Sequence, residues 1–375
     1  MTDDPRPEAD RAGDAPHPRE TQNLLGQSRA EQDFLNAFNS GRLHHGWMLT
    51  GPKGIGKATL AWRIARFLLA QPTGVGETDM FGQAVHPTTM DVPQDHPVTR
   101  RVLALAEPRL FLLRRVWNEK TKKLNQQITV DEARKLKSFF QLSAADGGRR
   151  VVIVDAADEL NVSAANALLK VLEEPPRDTF LLLVTHQPSR LLPTIRSRCR
   201  ELRCAPLAAE DLAQAVTQAG GDPQLATDNA ALAGGSVGMA LRLSENNGAA
   251  LYLQMVDLLA TAPRLDRPKA IALADGVAAK AGADRFDLVI ELIDQLLARL
   301  ARSGLTGPPT PAAAPNEAQV FARLCPDAKA ARKWAVLHQE IGARARHGRA
   351  VNLDASSLIL DMILKINDTA SAMAA

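Results

Sequence analysis

Large aromatic side chains are scarce in this sequence. They make up 4% of 375 residues, with a single tyrosine. A stacking platform for single-stranded nucleic acid needs several rings on one face, so composition argues against that class. The core must instead come from Leu, Val, Ile and Ala. Cysteine is rarer still: Cys199, Cys204 and Cys325 are the three, and no two form a CxxC pair. Neither a zinc site nor a disulfide framework is indicated, and reduced thiols are expected. No stretch approaches the roughly 20 consecutive apolar residues of a membrane span. A basic segment leading into an apolar run, the mark of a secretory signal, is also lacking. The expectation is therefore a cytoplasmic protein that does not engage a membrane. Neither sign of charge dominates, with 45 basic against 42 acidic residues and a net charge of +3. Such a balance permits contact with nucleic acid without requiring it.

What is present is a core-forming chain, 45% hydrophobic, long enough for two or three domains. Residues 1–20 hold Asp, Pro, Arg and Glu with almost no large apolar side chain, and read as a disordered tail. Up to about residue 204 short apolar runs alternate with amphipathic stretches. Helices are expected over 28–42, 57–70 and 130–142, and strands at 47–50, 110–113, 151–154 and 180–184. Asn161 is placed to cap a further helix that Pro175 and Pro176 end. Residues 71–100, without periodicity, read as a loop insertion. This alternation predicts an α/β core with a parallel sheet over 21–204. A small helical module follows over 205–245, and an Ala/Leu-rich, all-helical region over 246–375.

The segment Gly51-Pro-Lys-Gly-Ile-Gly-Lys57 matches GxxxxGK between an expected strand and an expected helix. Gly51, Gly54 and Gly56 allow backbone N–H groups to curl round phosphate oxygens, the helix N-terminus adds its dipole, and Lys57 reaches the outer phosphates. The next residue should carry a hydroxyl for Mg²⁺, yet it is Ala58, and Thr59 stands one place late. Val151-Val-Ile-Val-Asp155 has the form of the second phosphate-site motif, an apolar strand ending in an acid for the metal. The following position is Ala156, and Asp158 and Glu159 lie too far along to replace a carboxylate there.

Two further stretches narrow the family. Ala164-Ala-Asn-Ala-Leu-Leu-Lys-Val-Leu-Glu-Glu-Pro-Pro176 and Thr194-Ile-Arg-Ser-Arg-Cys199 resemble bacterial clamp loaders of the AAA+ superfamily. So do Leu25-Gly-Gln27, His45-Gly-Trp47 and the phosphate loop. The resemblance runs over about residues 22–205. It implies an AAA+ core, with 205–245 as a helical lid and 246–375 as a helical collar for oligomerisation. In motor subunits of this family, called gamma or tau, the acid after the strand is followed by a Glu that activates water, where this chain has Ala156. A nucleotide-sensing Arg in the lid is matched here by Gly238, within Ala233-Gly-Gly-Ser-Val-Gly-Met-Ala240. With Ala58, that makes three losses in one site, which favours a non-hydrolysing subunit. The alternative is an active gamma/tau-like ATPase. A P-loop kinase would leave the Ser197-Arg198-Cys199 and Leu172-Glu-Glu-Pro-Pro176 stretches without a role.

The resemblance assigns Arg198 as an arginine finger acting in trans on a neighbour's ATP. It assigns Gly51, Gly54, Gly56, Lys57, Asp155 and Thr185, the last at the first sensor position, to a remnant nucleotide site. ATP or ADP is bound there without hydrolysis, if at all, and no cofactor is required. The family's four-cysteine zinc module after the phosphate loop has no counterpart among the cysteines here, so no zinc and no other metal site are expected. Implied partners are the gamma/tau ATPase subunits, the delta subunit, the sliding clamp and, through the complex, primer-template DNA. The basic cluster Arg114, Arg115, Lys120, Lys122 and Lys123 reads either as a solvated loop or as a DNA contact. Leu358, Leu360, Ile363 and Leu364 serve either an internal core or a subunit interface.

Overall fold

Strands β5 (Arg150–Asp155) and β6 (Thr179–Thr185) are almost wholly buried, as continuous apolar runs must be when a sheet is covered on both faces. They are the central members of a five-stranded sheet with β1 (Gly46–Thr50), β2 (Leu110–Arg114) and β7 (Arg200–Arg203), in the order β2-β5-β6-β1-β7. All four pairings are parallel, with Arg114 opposite Asp155 and Thr50 opposite Thr185. The C-terminal ends of these strands thus bring the phosphate loop, Asp155 and Thr185 to one edge of the sheet. A computed structural model supplies this description for residues 7–13, 15–72, 86–142, 147–279, 283–350 and 353–374.

Alternation along the strands supplies both faces. Met48, Val152, Val154, Leu181 and Leu183 join Ala133, Leu136, Ala164 and Leu168 in one apolar cluster. The last four belong to helices α4 (Val130–Leu142) and α5 (Val162–Glu173). Trp47, Leu49, Val151, Ile153 and Leu182 point the other way and are equally buried. Helix α2 (Lys57–Ala70) packs on β1, β5 and β6 through a broad apolar face that includes Leu60, Ile64, Phe67 and Leu68. Helix α1 (Ser28–Asn39) contributes Phe34, which meets Trp47 with ring centroids 5.1 Å apart. Asn161 caps α5 by accepting from the Ala164 N–H, as the sequence indicates.

Several expectations are corrected. Within the expected disordered tail over 1–20, residues 7–13 and 15–20 are placed: His17 is fully buried against Trp62, and Glu8 and Asp10 pair with Arg114; residues 1–6 and 14 lie outside the described residues. Composition missed this because specific ion pairs, not apolar area, hold the segment. Arg114 and Arg115 are accordingly neither a solvated loop nor a free basic patch, since Arg115 pairs with Glu159 at 2.6 Å. Part of the expected loop insertion over 71–100 is helix α3 (Pro97–Leu103), started by Pro97 and a His96 side chain that accepts from the Val98 N–H. Residues 73–85 of that insertion lie outside the described residues. A two-strand hairpin, β3 (Trp117–Asn118) with β4 (Lys123–Leu124), and the polar edge strand β7 gave too little apolar pattern to be read in advance.

The chain falls into two compact units, residues 1–215 with 235–238, and residues 216–234 with 239–375. No described strand follows β7. Short helices α7 (Ala209–Gln218), α8 (Pro223–Asp228), α9 (Ala230–Ala233) and α10 (Val237–Glu245) come first. The longer helices are α11 (Gly248–Ala260), α12 (Arg267–Ala279), α13 (Ala283–Thr306), α14 (Glu317–Leu324), α15 (Ala328–Ala350) and α16 (Ala355–Ala374). Helix α13 packs along α15, and α12 along α16. On α16, Leu358 and Ile363 enter the core with Ile359, Met362 and Ile366, while Leu364 is exposed. Among the described residues no helix is long and apolar enough to cross a membrane.

Candidate nucleotide site and surface arginine

The turn between β1 and α2 has the backbone that a phosphate loop needs. Gly51 (φ +140°) and Gly54 (φ +78°) lie in regions that L side chains rarely enter. Space forbids a side chain as well: a Cβ at Gly51 would lie 2.5 Å from the Cys204 carbonyl, and one at Gly54 2.3 Å from the Ser236 hydroxyl. Gly56 closes the loop with φ +96° as the residue before α2. The buried Gln27 pins the outer side. Its amide donates to the carbonyls of Ile55 (3.0 Å) and Ala205 (2.7 Å), and its oxygen accepts from the Ala205 N–H. Sequence reading missed this positioning role, although Gln27 stood within a stretch it had singled out.

Lys57 opens α2, is 3% exposed, and donates its ammonium to the Pro52 carbonyl. Burial pulls its pKa down to about 8, against the attraction of Cys204, Asp155 and Asp158. Asp155 lies at the end of β5, where burial, then the carboxylates of Asp10 and Glu159, push its pKa up to about 7. Thr185 at the end of β6 is fully buried, and its hydroxyl has no hydrogen-bond partner. Gly238 packs onto the loop: the Val237 N–H donates to the Gly54 carbonyl at 2.9 Å, and a Cβ at Gly238 would sit 3.6 Å from the Gly54 Cα.

The structure therefore brings Gly51, Gly54, Gly56, Lys57, Asp155 and Thr185 to one end of the sheet. This donor set fits the phosphates of a nucleotide, through loop N–H groups and one ammonium. It fits their metal poorly. Ala58 offers no side-chain oxygen to it. Asp158 is engaged by the His186 N–H at 2.9 Å and Glu159 by Arg115, so neither acid stands in for the carboxylate missing at Ala156.

The raised Asp155 pKa has a consequence for stability. The folded state holds this proton more tightly than the unfolded chain, whose ordinary value is 3.8. Ionisation therefore costs stability between about pH 4 and pH 7, and the whole cost is present above pH 7. Asp155→Asn should stabilise the protein by about 1–3 kcal/mol at pH 8 and by nothing measurable at pH 4. Unfolding curves of both proteins at the two pH values check this; equal gains at both would show that ionisation is not the cause.

Arg198 lies outside this site, on the turn between helix α6 (Pro193–Arg196) and β7. The turn is anchored by the fully buried Ile195 and by close approach to β1, since a Cβ at Gly46 would come within 2.9 Å of the Arg198 carbonyl. The Arg198 side chain is 39% exposed. It donates to the Thr194 carbonyl at 3.1 Å and pairs with Glu173 at 3.0 Å, itself 43% exposed. An exposed pair of this kind is worth roughly 0–1 kcal/mol, so the guanidinium can exchange Glu173 for another anion at little cost. Of its neighbours, Arg200 covers the Trp47 ring at 5.3 Å and Arg196 is exposed.

A five-stranded parallel sheet in this order, with a glycine-rich loop after β1 and an acid ending β5, has the arrangement of a P-loop core. Residues 26–208 match the family described as DNA polymerase III, delta subunit. A DNA polymerase III subunit delta' of Pseudomonas aeruginosa is 39% identical over 201 residues, 53% of this chain and 55% of that protein. The one from Escherichia coli is 31% identical over 181 residues, 47% of this chain and 46% of that protein. A DNA polymerase III subunit gamma/tau of Mycobacterium tuberculosis is 28% identical over 181 residues, 47% of this chain and 27% of that protein. The chain spans about half the length of the curated delta' relatives it matches.

Proposed function

We propose that this chain acts as a delta-prime-type subunit of a DNA polymerase III clamp loader, helping to place a sliding clamp on primed DNA without hydrolysing ATP itself. The observation that supports this most is the state of its own site. The loop keeps phosphate-binding geometry, while Ala58 and Ala156 remove a metal ligand and the water-activating carboxylate, and Asp158 and Glu159 are engaged elsewhere. ATP or ADP bound there would have a structural role, and neither zinc nor another metal is needed.

The work proposed for the chain is done by Arg198 at a neighbour's ATP. Water attacks the γ-phosphorus there and ADP leaves, with negative charge spread over the transferring phosphoryl oxygens. A planar guanidinium matches two of those oxygens at once, which a lysine ammonium does not. The partners on this reading are gamma/tau ATPase subunits, the delta subunit, the clamp and primer-template DNA. Residues 205–245 act as the lid and 246–375 as the collar that holds the ring together, in the cytoplasm. The active-ATPase alternative is tested by phosphate release from the isolated chain with ATP and Mg²⁺. The expected rate is indistinguishable from a Lys57→Ala control. A Lys57-dependent rate comparable to that of the motor subunits would replace this reading with the enzyme one.

A further inference from the structure

The remnant site has a neighbour that its motifs do not predict. Residues 8–13 and 15–22 pack against β2, α2 and Gly238. Asp10, with a fully buried side chain, pairs with Arg114, which stands opposite Asp155 in the sheet. Glu8 meets the same guanidinium at 2.9 Å and is also held by Arg19 at 3.0 Å. His17 lies 3.0 Å from the other Asp10 oxygen and packs edge-on to Trp62 of α2, with ring centroids 5.7 Å apart. The Ala12 Cβ lies 3.9 Å from where a Cβ on Gly238 would be, and Gly238 rests on Gly54. Further along, the Arg19 and Gln22 carbonyls accept from Arg66 (2.7 Å) and Arg63 (3.3 Å) of α2, and Leu24 reaches to 3.0 Å from a Cβ on Gly56. The segment thus lies beside the strand end with Asp155, through Arg114, and beside Gly238, which rests on the loop at Gly54.

Charge fits a removable occupant. Two carboxylates placed beside Arg114, which stands opposite Asp155, offer the charge that phosphates would bring. Burial works to raise the Asp10 pKa, but His17 and Arg114 outweigh it and hold the carboxyl below its ordinary range, so the charge is present at neutral pH. Ordering a residue costs roughly 1–2 kcal/mol of backbone entropy. A segment with few apolar side chains must offset that with the buried Asp10 pairs to Arg114 and His17 and the partly exposed pairs of Glu8.

We infer that residues 8–22 are an intramolecular occupant of the remnant nucleotide site, and that this strap and a nucleoside di- or triphosphate exclude one another. The inference rests on reading the Lys57 loop as a nucleotide site and is independent of Arg198. The test measures binding of ADP carrying a fluorescent ribose label to four proteins of verified fold. These are the full chain, the chain lacking residues 1–20, the full-length Glu8→Gln/Asp10→Asn variant, and the truncated chain with Lys57→Ala. Truncation is expected to tighten binding at least tenfold, the double substitution to tighten it by a smaller factor, and Lys57→Ala to abolish the gain. Equal binding by the full chain, the truncated chain and the double variant would overturn the inference, as would a gain that survives Lys57→Ala. Should the truncated chain fail to fold, the full-length double variant decides alone. A negative result here leaves the arginine reading intact, because that is read from turnover of the assembled motor.

Discussion

Glu317→Ala should destabilise the protein by about 3–5 kcal/mol, the usual cost of leaving one member of a buried ion pair without its partner. Glu317 is fully buried at the start of α14. Its carboxylate accepts from Arg299 of α13 at 2.7 and 2.8 Å, from the Tyr252 hydroxyl of α11 at 2.6 Å and from the Ala313 N–H at 2.6 Å. Three helices and the loop before α14 are thus tied through one side chain. Burial works to raise the Glu317 pKa, but these donors outweigh it and hold the carboxyl below its ordinary value. The contribution is therefore present at neutral pH and is lost as pH falls through that lowered value. Truncation leaves Arg299, 11% exposed, as a nearly buried cation. Thermal unfolding should show a fall of roughly 6–20 °C, at about 2–4 °C per kcal/mol for a unit of this size. Glu317→Gln keeps an acceptor and should lose less. A loss below about 1 kcal/mol on Glu317→Ala would mean that apolar packing between α11, α13 and α14 carries this region without the network.

Arg198→Ala should leave the isolated chain as stable as before and lower ATP turnover at the site it serves in the assembly. The stability claim follows from exposure: Arg198 and Glu173 are both more than a third exposed, and Ile195 and the turn backbone hold the local structure. The activity claim follows from electrostatics. A guanidinium delivered to developing phosphoryl charge is worth roughly 10³–10⁵ in rate where it acts as a finger. Arg198→Lys should recover little, because one ammonium cannot reproduce the two-point contact.

The sheet was legible because Val151-Val-Ile-Val154 and Phe180-Leu-Leu-Leu-Val184 carry burial on both faces in their composition, and GxxxxGK carries its own turn geometry. Strand β7 was not legible. Arg200, Glu201 and Arg203 are polar, and parallel pairing of Arg200–Arg203 with Trp47–Thr50 makes the strand. The site was half legible. Lys57, Asp155 and Thr185 announce themselves by position after a strand or loop. Gln27 does not, because its clamp on Ile55 and Ala205 joins residues 178 apart. The described part of the expected tail over 1–20, residues 7–13 and 15–20, was misread for the reverse reason. Their composition says disorder, while their placement depends on Arg114, Arg66 and Trp62, which lie far along the chain.

The most direct test of the account is ATP hydrolysis by a reconstituted clamp loader, stimulated by clamp and primed DNA, with this chain either wild-type or Arg198→Ala. Equal incorporation of both forms is to be confirmed before turnover is compared. The account predicts that the assembly with Arg198→Ala loses the turnover of the motor subunit facing this chain, while the isolated chain is inactive in either form. Undiminished turnover in the fully assembled Arg198→Ala complex would contradict it, and would leave the chain a role in building the ring alone.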